Sequence, residues 1–130
     1  MRNFIRLITV ILLFVGVSAC KKEPGYGGLA TVSGRVYVYD YTPSNVLEAE
    51  GYTGDVKVFL NADNQIGVID DVNTDYNGYF RFEGLRKGKY TLWVFEECDT
   101  CTDNKRVIKQ SFEVDKNKAE IVLPDFKIKM

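Results

Sequence analysis

The chain has 130 residues, 17 basic and 18 acidic side chains, a net charge of −1 and no histidine. This balance speaks against a nucleic-acid partner, which wants a basic face, and the missing histidine removes the commonest general base and the commonest metal ligand. An aromatic content of 13% suits a packed β domain and is not expected of a disordered chain.

Residues 1–6 carry two cations, Arg2 and Arg6, and Leu7 to Val17 is almost wholly apolar. Small residues Ser18 and Ala19 then precede Cys20. That is the layout of a secretory signal peptide, too short for a comfortable membrane span. Val17-Ser18-Ala19-Cys20 resembles the lipobox of bacterial lipoproteins, which implies removal of residues 1–19 and acylation of Cys20, with palmitate among the chains. An ordinary cysteine beyond a cleavage site and an uncleaved anchor are the alternatives. The processed chain has 15 basic and 18 acidic side chains, a net charge of −3, and is long enough for one domain with its own core.

Residues 20–30, with Lys21-Lys22-Glu23-Pro24-Gly25-Tyr26-Gly27-Gly28, read as the lipidated cysteine and a flexible tether. Lys21-Lys22-Glu23 resembles the short charged tags that send some Bacteroidetes lipoproteins to the cell surface; a solvated linker is the plainer reading. The expected address is the cell envelope, lipid-anchored, at the outer membrane's periplasmic face or the cell surface.

From residue 31 apolar residues alternate in period two, the mark of strands. Val32, Gly34, Val36 and Val38 share one face of a first strand, and Ser33, Arg35, Tyr37 and Tyr39 the other. Val56, Val58 and Leu60 alternate with Lys57 and Phe59, and Ile66 with Val68 suggests a third strand. Phe80 and Phe82 mark a fourth; Tyr90, Leu92 and Val94 alternate with Thr91, Trp93 and Phe95 in a fifth. A sixth runs near 106–114 and a last near 119–128, interrupted by Pro124. Asp75-Tyr76-Asn77-Gly78 supplies Asn and Gly for a hairpin turn with positive φ. The expected fold is all-β: one seven-stranded antiparallel sandwich over residues 31–130.

Ser33-Gly34-Arg35-Val36, Thr74-Asp75-Tyr76-Asn77-Gly78-Tyr79-Phe80-Arg81-Phe82 and Gly84-Leu85-Arg86-Lys87-Gly88-Lys89-Tyr90-Thr91-Leu92 resemble the signature motifs of carboxypeptidase regulatory-like domains. The resemblance covers residues 31–95 well and implies a transthyretin-like (prealbumin-like) Greek-key sandwich. Its motifs are turn glycines and core aromatics, so they speak to architecture and leave function open. The transthyretin-related hydrolases of purine breakdown use histidine, which this chain lacks.

Three features stand apart. The loop 40–55, from Asp40 to Asp55, is long, and long loops are often functional. It carries Tyr41 and Tyr52, approached by Tyr37 and Tyr39; with Trp93 these are the candidate ligand-binding residues, and coverage of the sandwich edge is the plainer reading. Cys98-Asp99-Thr100-Cys101 lacks the helix of a redox pair, the histidine of a haem site and the further ligands of a zinc site. A local Cys98–Cys101 disulfide is expected, with an intermolecular bridge or a transient metal contact as alternatives. Asp70, Asp71, Asn73, Asp75 and Asn77 space their oxygens like a calcium loop but fail its pattern at positions six and twelve, so turn chemistry is expected there and no metal site is assigned. The expected function is a non-catalytic envelope module with an interaction or accessory role, not an enzyme, without cofactor. Its partners would be the membrane, through the anchor, and a protein or glycan. A carbohydrate-binding module of a glycan-uptake system and a structural subunit of a surface assembly or pilus are the alternatives.

Overall fold

The computed structural model describes residues 22–130; the signal peptide, Lys21 and the lipidation site Cys20 lie outside these residues. Nine strands run in chain order: β1 (Tyr26–Tyr41), β2 (Leu47–Tyr52), β3 (Lys57–Ala62), β4 (Asp70–Asn73), β5 (Tyr79–Leu85), β6 (Gly88–Glu97), β7 (Lys105–Val114), β8 (Glu120–Val122) and β9 (Phe126–Lys129). They form two sheets, an all-β sandwich. In the first, β1 is flanked by β5 and β8 along its N-terminal half and by β2 and β9 along its C-terminal half. The second has the order β4-β3-β6-β7.

Period-two alternation explains the core. Val32, Val36 and Val38 of β1 face Val58 and Leu60 of β3, Phe80 and Phe82 of β5, and Leu92 and Val94 of β6, all buried. Each such side chain stabilises the fold by roughly 1.5–3 kcal/mol. Gly34 belongs to this inward face because a Cβ there would lie 2.6 Å from Cζ of Phe80; the bare backbone makes room for the ring.

Several expectations need correction. The loop 40–55 contains β2, antiparallel to β1 with Tyr37 opposite Tyr52. Ile66 and Val68 lie outside any strand and are exposed; the third strand of the expectation is β4, further along, where only Val72 packs on the core. The last run splits at Pro124 into β8 and β9, and both pair with β1 in parallel, so the sandwich is mixed and not wholly antiparallel. The 75–78 turn joins β4 of one sheet to β5 of the other instead of closing a hairpin. Gly78 holds its φ of 69°, and Asp75 Oδ1 accepts from the backbone N–H groups of Asn77 (2.8 Å) and Tyr79 (2.9 Å).

The flexible tether expected over 20–30 is also shorter. β1 begins at Tyr26, and the residues just before it are fastened. Pro24 O accepts from Gln65 Nε2 at 3.0 Å, and Gly25 O accepts from Arg86 N at 2.8 Å. The Gly25 N–H donates to the buried Tyr90 hydroxyl at 2.8 Å. Glycines at 25, 27 and 28 let this segment lie flat: a Cβ on Gly28 would lie 2.0 Å from Leu85 O.

Candidate functional site

The five candidate residues divide between the two sheets. Tyr37 and Tyr39 alternate with core valines and so point outward from β1, and register places Tyr52 beside Tyr37. Ring centroids are 5.2 Å apart for Tyr37–Tyr39 and 5.1 Å for the edge-to-face Tyr37–Tyr52 pair. The Arg35 guanidinium lies 3.6 Å from the Tyr52 ring centroid, and the Tyr52 hydroxyl donates to Asp125 Oδ2 at 2.7 Å. That bond is the main reason the Tyr52 pKa is raised; desolvation, then Glu50, raises that of Tyr37. Tyr41 lies past a β-bulge, with Lys129 Nζ 4.9 Å from its ring centroid. These rings are engaged with one another and with two cations.

Trp93 belongs to the opposite sheet. In the β3–β6 register it stands opposite Phe59, and the rings stack with centroids 4.0 Å apart. Phe95 meets both edge-on, at 5.1 Å from Trp93 and 5.9 Å from Phe59. Trp93 Nε1 donates to Asn61 Oδ1 at 2.7 Å, which fixes the indole's orientation. One side of this trio opens into a cleft of about 510 Å³ lined by Trp93, Phe95, Asn61, Asp63, Gln65, Thr91, Lys109 and Ser111, among others. Its hydroxyls are ordered: Thr91 Oγ1 lies 3.1 Å from Ser111 Oγ and 3.3 Å from Asp63 Oδ1. Aromatic faces beside amides, hydroxyls, a carboxylate and an ammonium suit a ligand with both C–H faces and hydroxyls.

Sequence reasoning singled out Trp93 but not its neighbours. Their outward positions were readable, since Phe59 and Asn61 alternate with Leu60, and Thr91 and Phe95 with Leu92 and Val94. Their convergence depends on the long-range pairing of β3 and β7 with β6.

The Cys98–Cys101 disulfide is formed, with Cα atoms 5.4 Å apart, and it closes the β6–β7 turn. The acidic run 70–77 does not converge on one point. Asp70 accepts from Tyr26 and from Asp71 N, Asp71 pairs with Lys57 at 3.0 Å, and Asp75 serves the turn backbone. Glu96, buried in the wall between the sheets, accepts from Arg106 and from Lys129 N.

No family model matches the chain, and no curated protein matches it. Similar solved structures include a proposed carbohydrate binding protein of Pseudomonas aeruginosa, at 16% identity over 82% of this chain and 91% of that one, with a TM-score of 0.46. The 5-hydroxyisourate hydrolase of Klebsiella pneumoniae is 16% identical over 81% of this chain and 91% of that one, with a TM-score of 0.49. An (S)-allantoin synthase is 12% identical over 74% of this chain and 41% of that one, with a TM-score of 0.45. Two of the three are enzymes, which corrects the expectation that the chain is not one: similar structures include catalysts, and that exclusion is set aside. The chain's own strand pairing makes it an all-β sandwich.

Proposed function

We propose that the chain is a lipid-anchored binding module of the cell envelope that takes a carbohydrate on the outer face of the β4-β3-β6-β7 sheet. The observation that carries this reading is the cleft in which Trp93 and Phe95 stand beside Asn61, Asp63, Thr91, Lys109 and Ser111. A sugar ring offers an apolar C–H face to an aromatic and hydroxyls to amides and carboxylates. Acylation at Cys20 would hold the module on the outer membrane, on its periplasmic face or at the cell surface. A resemblance to carboxypeptidase regulatory-like domains fits an accessory role of this kind.

A glycan array probed with the chain tests the reading. Binding of one saccharide class, weakened roughly 30-fold by Trp93→Ala with the fold intact, is expected of an aromatic anchor worth about 2 kcal/mol. Binding that survives Trp93→Ala undiminished would overturn the assignment of this face. Retention of Cys20→Ala on membranes at the mature mass would overturn the anchor.

A protein partner on the Tyr37–Tyr52 face is the second reading. It is favoured by β2, an edge strand that among the described residues pairs with β1 alone, and whose approach exposes Val46 and Leu47. Exposed strand edges accept further strands. Tyr52→Ala should then reduce partner capture and leave saccharide binding unchanged.

A further inference from the structure

The turns at the two ends of the sandwich differ in charge. β1 starts at one end with Tyr26, and the strand registers place the turns 63–69, 86–87 and 115–119 at that same end. With residues 22 and 23 these turns hold five cations, Lys22, Arg86, Lys87, Lys116 and Lys118, against three carboxylates, Glu23, Asp63 and Asp115, and Asp70, which accepts from the Tyr26 hydroxyl, opens the adjoining β4. The turns 42–46, 53–56, 74–78 and 98–104 gather at the far end and hold four carboxylates, Asp55, Asp75, Asp99 and Asp103, met by Lys129 of β9, whose Nζ lies 3.5 Å from Asp99 Oδ2 and 3.1 Å from Asn45 Oδ1. At the basic end, Lys22, Arg86 and Lys87 line a cleft of about 370 Å³ together with Leu29 and Asn117, and among the described residues no carboxylate lines it. Leu29 is 65% exposed there although it lies in a strand.

The fastened Pro24–Gly25 segment leaves only four residue steps between Cys20 and Pro24, a span of about 14 Å when fully extended. Fully extended, that is nearly two Debye lengths of roughly 8 Å at physiological salt, and any shorter end-to-end distance brings the basic cleft closer to the surface. An anchor at Cys20 therefore holds the basic end within the electrostatic reach of the bilayer and the acidic end away from it. We infer that this end, through the cleft of Lys22, Arg86 and Lys87 beside the exposed Leu29, docks on an anionic phospholipid surface. Docking orients the sandwich upright, with the disulfide-closed β6–β7 turn outermost. The inference rests on the anchored reading only in requiring attachment at Cys20.

The test supplies that attachment chemically. The core runs from Ala30 to Ile128, so the chain from Cys20 onward contains all of it. With Cys98 and Cys101 in their disulfide, the Cys20 thiol couples selectively to a maleimide lipid. Leu29→Trp in a Trp93→Phe background gives a reporter quenched by brominated phosphatidylcholine. Quenching is expected in vesicles with roughly one-third phosphatidylglycerol, and its loss in pure phosphatidylcholine or in about 0.5 M salt. Each cation near such a surface shifts docking by roughly five-fold, so reversing Lys87, Lys116 and Lys118 to Glu shifts it by more than about 100-fold. Equal quenching with neutral lipid, indifference to salt or charge reversal, or equal quenching of a far-end Pro43→Trp reporter would overturn the inference. Cellular fractionation of Cys20→Ala reports on acylation separately, so the two readings fail independently.

Discussion

Replacing Tyr90 with Phe removes one oxygen from the point where the N-terminal segment meets the core. The Tyr90 hydroxyl accepts from Gly25 N at 2.8 Å and donates to Arg86 O at 2.7 Å, with Gly25 O a longer 3.2 Å away. The ring is fully buried and stacks on Phe112 with centroids 5.3 Å apart, so Phe keeps the packing. What is lost is satisfaction of the Gly25 N–H and of one lone pair on Arg86 O. Leaving a buried polar group unpaired costs about 1–3 kcal/mol. For a domain of this size that lowers Tm by roughly 4–12 °C. Thermal unfolding followed by circular dichroism measures the shift, and hydrogen exchange of the Gly25 amide measures its location. Tyr76→Phe, at a residue almost wholly exposed, is the control and should leave Tm unchanged. A Tyr90→Phe shift under about 1 °C, or unchanged exchange at Gly25, would refute the claim that this hydroxyl fastens the chain's start.

Gly34→Ala should destabilise the fold by about 1–3 kcal/mol, because the new methyl would overpack against Phe80; chemical denaturation measures it. Reducing the Cys98–Cys101 disulfide should cost at most about 2 kcal/mol, since the closed loop is so short, and exchange mass spectrometry should locate the loosening in the β6–β7 turn. High pH should weaken the fold through Tyr26 and Tyr90. Burial raises both pKa values, and the hydrogen bond to Asp70 raises that of Tyr26 further. Unfolded tyrosine ionises near pH 10. Above that pH the unfolded chain binds fewer protons than the folded one, so stability is intact below about pH 10 and falls above it. Tyr26→Phe should blunt the decline in Tm measured across this range.

The sequence showed clearly the parts of this fold that bury one face. β1, β3, β5 and β6 alternate cleanly because their inner residues meet a core, and Pro124 marked the break between β8 and β9. β2 was invisible for the opposite reason: Leu47-Glu48-Ala49-Glu50-Gly51-Tyr52 is solvated along nearly its whole length, so no apolar period marks it. Ile66 and Val68 misled because two apolar residues two apart can equally sit in an exposed turn. Parallel pairing of β8 and β9 with β1 joins residues some 90 positions apart, which no local pattern encodes. The candidate site follows the same rule. Trp93 was legible by its chemistry, whereas the gathering of Phe59, Asn61, Thr91 and Ser111 around it follows from register. Tyr37, Tyr39 and Tyr52 do cluster, on the sheet away from Trp93.

Trp93 is the chain's single tryptophan and lines the proposed saccharide cleft, so its emission reports directly on occupancy. The decisive measurement is a fluorescence titration of the folded chain with the saccharide class selected on the array. Saturable change in Trp93 emission is expected, with the affinity lowered by Ser111→Ala and Asn61→Ala and unaffected by Tyr52→Ala. Saccharide binding that saturates by calorimetry while Trp93 emission stays constant would contradict the account and move the site off this face.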